Sequence, residues 1–255
     1  MVSPVRNYHV QAPGGVNRLL CSSADHRVGV ERTQWRVKVG SEETDVVFEP
    51  ASTASNGRLF ICAHGASGHM ADRGMLALSE LFRGCGTDVV RFNFLYRVKG
   101  SRTPDAMPRL KECISAVVSR AREELQPEVL LIGGRSMGGR AASMLAADGF
   151  VCDGLVLLAY PLHPAGQPEK LRIAHLAKIN VPVLCLNGTR DSLCTRELMD
   201  KAASGLSSAW SMHWLEGADH SFRVLKSSGR SDSDVVNEIG DAYSAWQSKL
   251  TGMSK

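Results

Sequence analysis

Ser136, Asp191 and His220 are the residues on which a reaction could be built. A serine hydroxyl is a weak nucleophile until a base accepts its proton. Imidazole has the right basicity near neutral pH, and a carboxylate behind it fixes the tautomer and stabilises the imidazolium. Ser136 lies in Gly134-Arg135-Ser136-Met137-Gly138, the G-x-S-x-G spacing of a nucleophile elbow, where a serine sits on a strained strand-to-helix turn. The glycines have a steric reason, because a Cβ two residues before or after the serine would crowd the two arms of the turn. An oxyanion formed at this serine needs backbone N–H donors already in place. Met137, which follows the nucleophile, would supply one, and Ala66 in the loop His64-Gly65-Ala66 the other.

Each piece has a bland reading when taken alone. Gly134 to Gly138 could be a simple turn between a strand and a helix. Asn187-Gly188-Thr189-Arg190-Asp191 would serve as a turn in its own right, and His220 could be a surface histidine beside a cap residue. Their joint placement favours the reactive reading. Asp219 adjoins His220 but would have to curl back to reach the ring, so Asp191 is preferred as the acid. His64, Gly65, His69, Tyr96 and His163 are candidates to line a substrate pocket, although His64 reads better as a structural hydrogen-bonder than as a base. Arg135 and Arg140 flank the elbow. They could attract an anionic substrate or simply form salt bridges on an outer helix face.

The elements that must position these residues alternate. Residues 35–39 and 45–49 read as two short strands around the turn at 40–43, suited to an antiparallel sheet edge. Buried strands are expected at 59–63, 88–94, 128–133, 155–159, 181–186 and 211–215. Helical spacing falls at 71–84, 108–125, 169–177, 196–203 and 233–250, with a loop at 95–104. Strand–helix alternation with leucine-rich and β-branched strand cores implies an α/β fold with a mainly parallel sheet covered on both faces. In such a sheet, ligands bind at the carboxyl ends of the strands, and Ser136, Asp191 and His220 each fall just past one.

At 255 residues the chain is long enough to bury a full core. We read residues 1–32 as a loosely structured N-terminal extension and 33–255 as one domain. The formal net charge of +4, without basic blocks interleaved with aromatics, gives no nucleic-acid footprint. No apolar run reaches membrane-spanning length. Residues 1–24 carry Arg6 and Arg18 without an acid, but Pro4, Pro13, Gly14 and Gly15 work against the amphipathic helix of an organellar transit peptide. Seven cysteines without C-x-x-C spacing point to reduced thiols and a cytoplasmic protein, and no zinc site, other metal or cofactor is expected.

Beyond the elbow, the motifs Tyr160-Pro161-Leu162-His163-Pro164, Leu171-Arg172, Asn187-Gly188-Thr189-Arg190-Asp191 and Ala218-Asp219-His220-Ser221 resemble one branch of the α/β-hydrolase superfamily. It is the dienelactone-hydrolase-like group that includes testis-expressed protein 30 and the hydrolase-like domain of NSL complex subunit 3. The likeness covers roughly residues 33–250. It implies an α/β-hydrolase fold with little or no lid, a Ser136–Asp191–His220 triad in the family's chain order and an oxyanion loop over 64–68. Two departures stand out. Ser67 stands where many relatives have a glycine, and the extension 1–32 lies outside the resemblance. Dienelactone hydrolases proper use a cysteine nucleophile, so Ser136 argues against that reaction. The expected activity is a serine esterase or thioesterase acting on a small or medium acyl substrate through an acyl-enzyme. The rivals are a non-catalytic interaction module on the same fold and a serine peptidase. The small acyl substrate is the expected partner, with neither nucleic acid nor membrane, and a protein partner or homodimer is left open.

Overall fold

The computed structural model describes residues 17–18, 32–206 and 209–250. Its strands are β1 (Asn17–Arg18), β2 (Thr33–Val39), β3 (Glu42–Glu49), β4 (Arg58–Ala63), β5 (Asp88–Phe92), β6 (Val129–Arg135), β7 (Gly154–Leu158), β8 (Val183–Gly188) and β9 (Trp210–Leu215). They form one sheet in the order β1-β2-β3-β5-β4-β6-β7-β8-β9. The first three strands pair antiparallel up to β5, and everything from β5 to β9 is parallel. Side chains along each parallel strand alternate between two cores, the period of two that a pleated strand imposes. In β4, Leu59, Ile61 and Ala63 enter one core while Phe60 and Cys62 enter the other.

Helices fill both faces. The first core takes α3 (Met107–Leu125) through Leu110, Ile114 and Val117, and α4 (Met137–Ala147) through Ala141 and Ala142, numbering the short α2 (Leu95–Val98) between. The second takes α1 (Arg73–Gly84) through Met75, Leu78 and Phe82. It also takes α6 (Asp232–Leu250), which follows α5 (Arg196–Ala203), through Val235, Ile239 and Tyr243. From β4 the chain goes first to β5 on one side and then to β6 on the other. The carboxyl end of β4 is therefore a topological switch point, where an open α/β sheet leaves a crevice for ligands. Among the described residues, no helix is long and apolar enough to cross a membrane.

Most expected elements form within a few residues of their expected limits, and three regions differ. Residues 17 and 18 of the extension pair antiparallel with Gln34 and Thr33, while the rest of 1–31 lies outside the described residues. The stretch 95–104 opens with α2 instead of being all loop. The helix expected over 169–177 does not form, and only a single 3-10 turn is present at Leu176–Lys178. The cause is long-range. The Arg172 N–H donates to the Leu162 carbonyl at 2.7 Å and its carbonyl accepts from the Tyr160 hydroxyl at 2.9 Å, so neither group is free for a helical ladder.

Candidate active site

Strand β6 delivers Ser136 into the crevice on a backbone that almost only glycine adopts, with φ 50° and ψ −117°. A non-glycine residue held there costs about 1–3 kcal/mol and persists because its surroundings over-determine it. Here the Ser136 N–H donates to the Leu158 carbonyl of β7 at 2.8 Å, and its carbonyl accepts from the Arg140 N–H at 2.9 Å, starting α4. The flanking glycines do what the spacing predicts. A Cβ on Gly138 would lie 2.6 Å from the Ala63 and His64 carbonyl oxygens, and one on Gly134, with φ +133°, would drive into Ala63. Any side chain at either position would push α4 or β6 away from β4.

The His220 ring spans the other two groups. Nε2 lies 2.9 Å from Ser136 Oγ and Nδ1 lies 2.7 Å from Asp191 Oδ2. Asp191 follows β8 and its side chain is 0 % exposed, whereas His220 is 26 % exposed. Two donors hold the carboxylate: the Leu193 N–H on Oδ1 at 2.8 Å and Asn187 Nδ2 on Oδ2 at 3.4 Å. Asn187 is itself locked, accepting from the Tyr160 N–H and donating to the Tyr160 carbonyl, both at 3.0 Å. Asp219 does not approach the ring. Its Oδ1 accepts from the backbone N–H groups of Ser221 and Arg223 at 2.7 and 3.0 Å, shaping the turn that presents His220. On the outer side, Arg135 Nη2 donates to the His220 carbonyl at 3.1 Å.

The loop after β4 packs against the elbow, close enough that a Cβ on Gly65 would lie 3.5 Å from the Ser136 Cβ. Three groups turn the Gly65 carbonyl inward: His64 Nδ1 at 2.8 Å, the Gly68 N–H at 3.0 Å and the Tyr96 hydroxyl at 3.3 Å. The peptide is trans, so the Ala66 N–H points the opposite way, away from His64 and Tyr96. Tyr96 also donates to the Ala66 carbonyl at 2.7 Å, which fixes the next peptide. Met137, the first residue of α4, has an N–H with no partner within the helix, at the positive end of its dipole.

Of the five residues expected to line a pocket, Gly65 packs on Ser136, and it does so with backbone. His64 is fully buried. Its Nε2 accepts from the Phe94 N–H at 3.1 Å while Nδ1 donates to Gly65, and burial pulls its pKa from 6.5 down to about 4. It is a neutral strut with both nitrogens engaged, not a substrate ligand. Tyr96 is buried with its hydroxyl turned to the loop carbonyls, and burial pushes its phenol up to about 12. His163 is buried beside the acid loop, with Nδ1 against the Pro164 carbonyl at 2.9 Å, and shows no face to solvent. His69 is half-buried, its ring nitrogens 3.1 Å from the Ala71 nitrogen and 2.9 Å from Asn93 Nδ2. Asn187 and the loop-setting role of Tyr96 were not evident from the sequence, because the atoms that define them come from segments about thirty residues away.

The family described as alpha/beta hydrolase domain matches residues 56–248, well over half of the sequence. The chain belongs to the alpha/beta hydrolase domain family. Among solved structures, the chain is similar to an alpha-beta serine hydrolase homologue from Coxiella burnetii, at 18 % identity over 82 % of this chain and 93 % of that one (TM-score 0.66). It is likewise similar to an α/β serine hydrolase without a lid from Xanthomonas campestris, at 19 % identity over 84 % and 94 % (TM-score 0.68). A dienelactone hydrolase from Anabaena variabilis matches at 17 % identity over 87 % and 97 % (TM-score 0.65). These likenesses are of fold. In this chain the β7–β8 connection carries no α-helix, and its first residues, Ala159 to His163, are buried against the sheet.

Proposed function

We propose that this protein is a serine-dependent ester or thioester hydrolase acting on a small or medium acyl group, with Ser136, His220 and Asp191 as its catalytic triad. The observation that carries the reading is the unbroken relay from Ser136 Oγ through both His220 nitrogens to the buried Asp191 carboxylate. His220 Nε2 takes the hydroxyl proton as Ser136 Oγ adds to the acyl carbonyl. The oxyanion that forms is met by the N–H groups of Met137 and Ala66. The imidazolium then gives its proton to the leaving alcohol or thiol, which departs and leaves an acyl ester on Ser136. Water, deprotonated by the same nitrogen, releases the acid and restores the serine. Asp191, oriented by the Leu193 N–H and Asn187 Nδ2, holds the proton on Nδ1 so that Nε2 stays a base.

A non-catalytic module would have no use for a strained serine aligned on a histidine. Residues 33–255 are read as one domain, in the dienelactone-hydrolase-like branch suggested by the motifs at 160–164 and 187–191. A reducing, cytoplasmic setting is supported by six unpaired thiols among the described residues, of which Cys62 and Cys113 are pushed up to about 12 by burial. The test is turnover of a panel of nitrophenyl esters and acyl thioesters graded by chain length, with intact-mass detection of the acyl-enzyme. A mass increment on Ser136 matching the acyl group supports the reading. No turnover and no adduct on any member would reject it.

A further inference from the structure

A second cavity, of about 730 Å³, opens on the flank of the molecule between α1, α6 and the turn that follows His220. Arg73, Arg135 and Arg223 line it, with Asp232, Ser233 and Asn237 on the α6 side. Among the described residues none of these three arginines forms an ion pair. The nearby carboxylates are engaged elsewhere. Asp72 accepts from the His69 N–H, Asp219 from Ser221 and Arg223 N–H, and Asp232 from the Val224 N–H. Arg135 is half-buried, and its guanidinium uses Nη2 on the His220 carbonyl while Nη1 rests against Gly74, where a Cβ would lie 3.4 Å away. Burial pulls its pKa down, against the longer-range attraction of Asp219, Asp72 and Asp191. A desolvated guanidinium with no carboxylate in direct contact is costly, and Arg135 lines a cavity together with two more cations.

We propose that this cavity binds the phosphate group of a small molecule, held by the guanidinium groups of Arg73, Arg135 and Arg223 beside the elbow. The lining itself holds three arginines and one aspartate, a cationic excess that suits a phosphate, while Asp219, Asp72 and Asp191 act on Arg135 from longer range. The planar forks of arginine suit its oxygens, and the serine and asparagine of α6 add neutral donors. Arg135 adjoins Ser136 in sequence and donates to the His220 carbonyl, so it links this cavity to the backbone that carries both residues.

Binding is measured by calorimetry on the full-length Ser136→Ala protein with inorganic phosphate at constant ionic strength. This arm does not depend on the hydrolase reading. Saturable binding is expected, weakened at least about tenfold by the double substitution Arg73→Gln, Arg223→Gln, both at exposed positions. Unchanged melting of that variant shows that its fold is intact. No saturable binding up to about 10 mM, or undiminished affinity in the double variant, would overturn the proposal. A second arm, which does rest on the serine-hydrolase reading, compares KM for a nitrophenyl ester of a phosphorylated hydroxy acid with KM for its phosphate-free counterpart. A KM about tenfold lower with phosphate, lost in the double variant, means that the substrate brings the phosphate. Equal values mean that free phosphate is the ligand.

Discussion

Asp191→Asn separates the role of the carboxylate's charge from its shape. The substitution keeps the volume of a fully buried side chain but replaces one oxygen by an NH2 group. Its orientation is decided by the neighbours. The Leu193 N–H, 2.8 Å from Oδ1, makes a much shorter bond than Asn187 Nδ2, 3.4 Å from Oδ2, so the oxygen is expected at Oδ1 and the NH2 group where Oδ2 now faces His220 Nδ1. His220 must then offer a lone pair at Nδ1 and carry its proton on Nε2, which donates to Ser136 Oγ and can no longer deprotonate it. In a serine protease the equivalent tautomer reversal lowers kcat by about four powers of ten, or roughly 5.5 kcal/mol. The opposite orientation sets an NH2 group against the Leu193 N–H. Leaving a buried donor unmatched costs about 1–3 kcal/mol and still removes the anion that stabilises the imidazolium. The assay is kcat/KM on a short-chain nitrophenyl ester, with melting temperature to confirm the fold. The expected result is a fall of about three to four powers of ten in kcat. A fall of less than about tenfold would show that His220 does not depend on Asp191 and would refute the relay.

Three further outcomes follow from the same geometry. Tyr96→Phe removes the hydroxyl that holds the Ala66 carbonyl, and one hydrogen bond of about 0.5–1.5 kcal/mol corresponds to a loss of roughly two- to twelvefold in kcat with KM little changed. An unaltered kcat would mean that Tyr96 does not set the oxyanion loop. Gly138→Ala puts a methyl 2.6 Å from the Ala63 and His64 carbonyls, so α4 must shift; stability should fall by about 1–3 kcal/mol in urea titrations, with a matching loss of turnover. His64 makes stability pH-dependent. Burial lowers its folded pKa to about 4 from 6.5, so the folded state binds fewer protons than the unfolded one between those values. Its contribution is complete above pH 6.5 and disappears as pH falls towards 4, up to about 3 kcal/mol in all. Urea midpoints for the wild type should fall through this window, and the slope should be shallower in His64→Asn.

What the sequence made legible has a common physical basis. Apolar runs end abruptly at the carboxyl ends of the parallel strands, and Ser136, Asp191 and His220 stand just past those ends, so their placement beside one another was readable from order and spacing. The glycines around Ser136 carried a steric message that the close approach of β4 bears out. Features that depend on distant atoms were hidden. His64 looked available because its acceptor partner, the Phe94 N–H, is thirty residues away. Glu169 to Ala177 has helical periodicity, but long-range bonds to Arg172 override it. Arg135 read as an ordinary flanking cation. Only the folded chain shows that it faces a cavity with two other arginines and supports the His220 carbonyl.

The most direct test of the central claim is labelling with a fluorophosphonate probe, read by intact mass and peptide mapping on wild type, Ser136→Ala and His220→Ala. The account predicts stoichiometric modification of wild type at Ser136, none in Ser136→Ala, and a labelling rate lower by several powers of ten in His220→Ala. Equal labelling of wild type and Ser136→Ala, or no labelling of wild type at all, would contradict it.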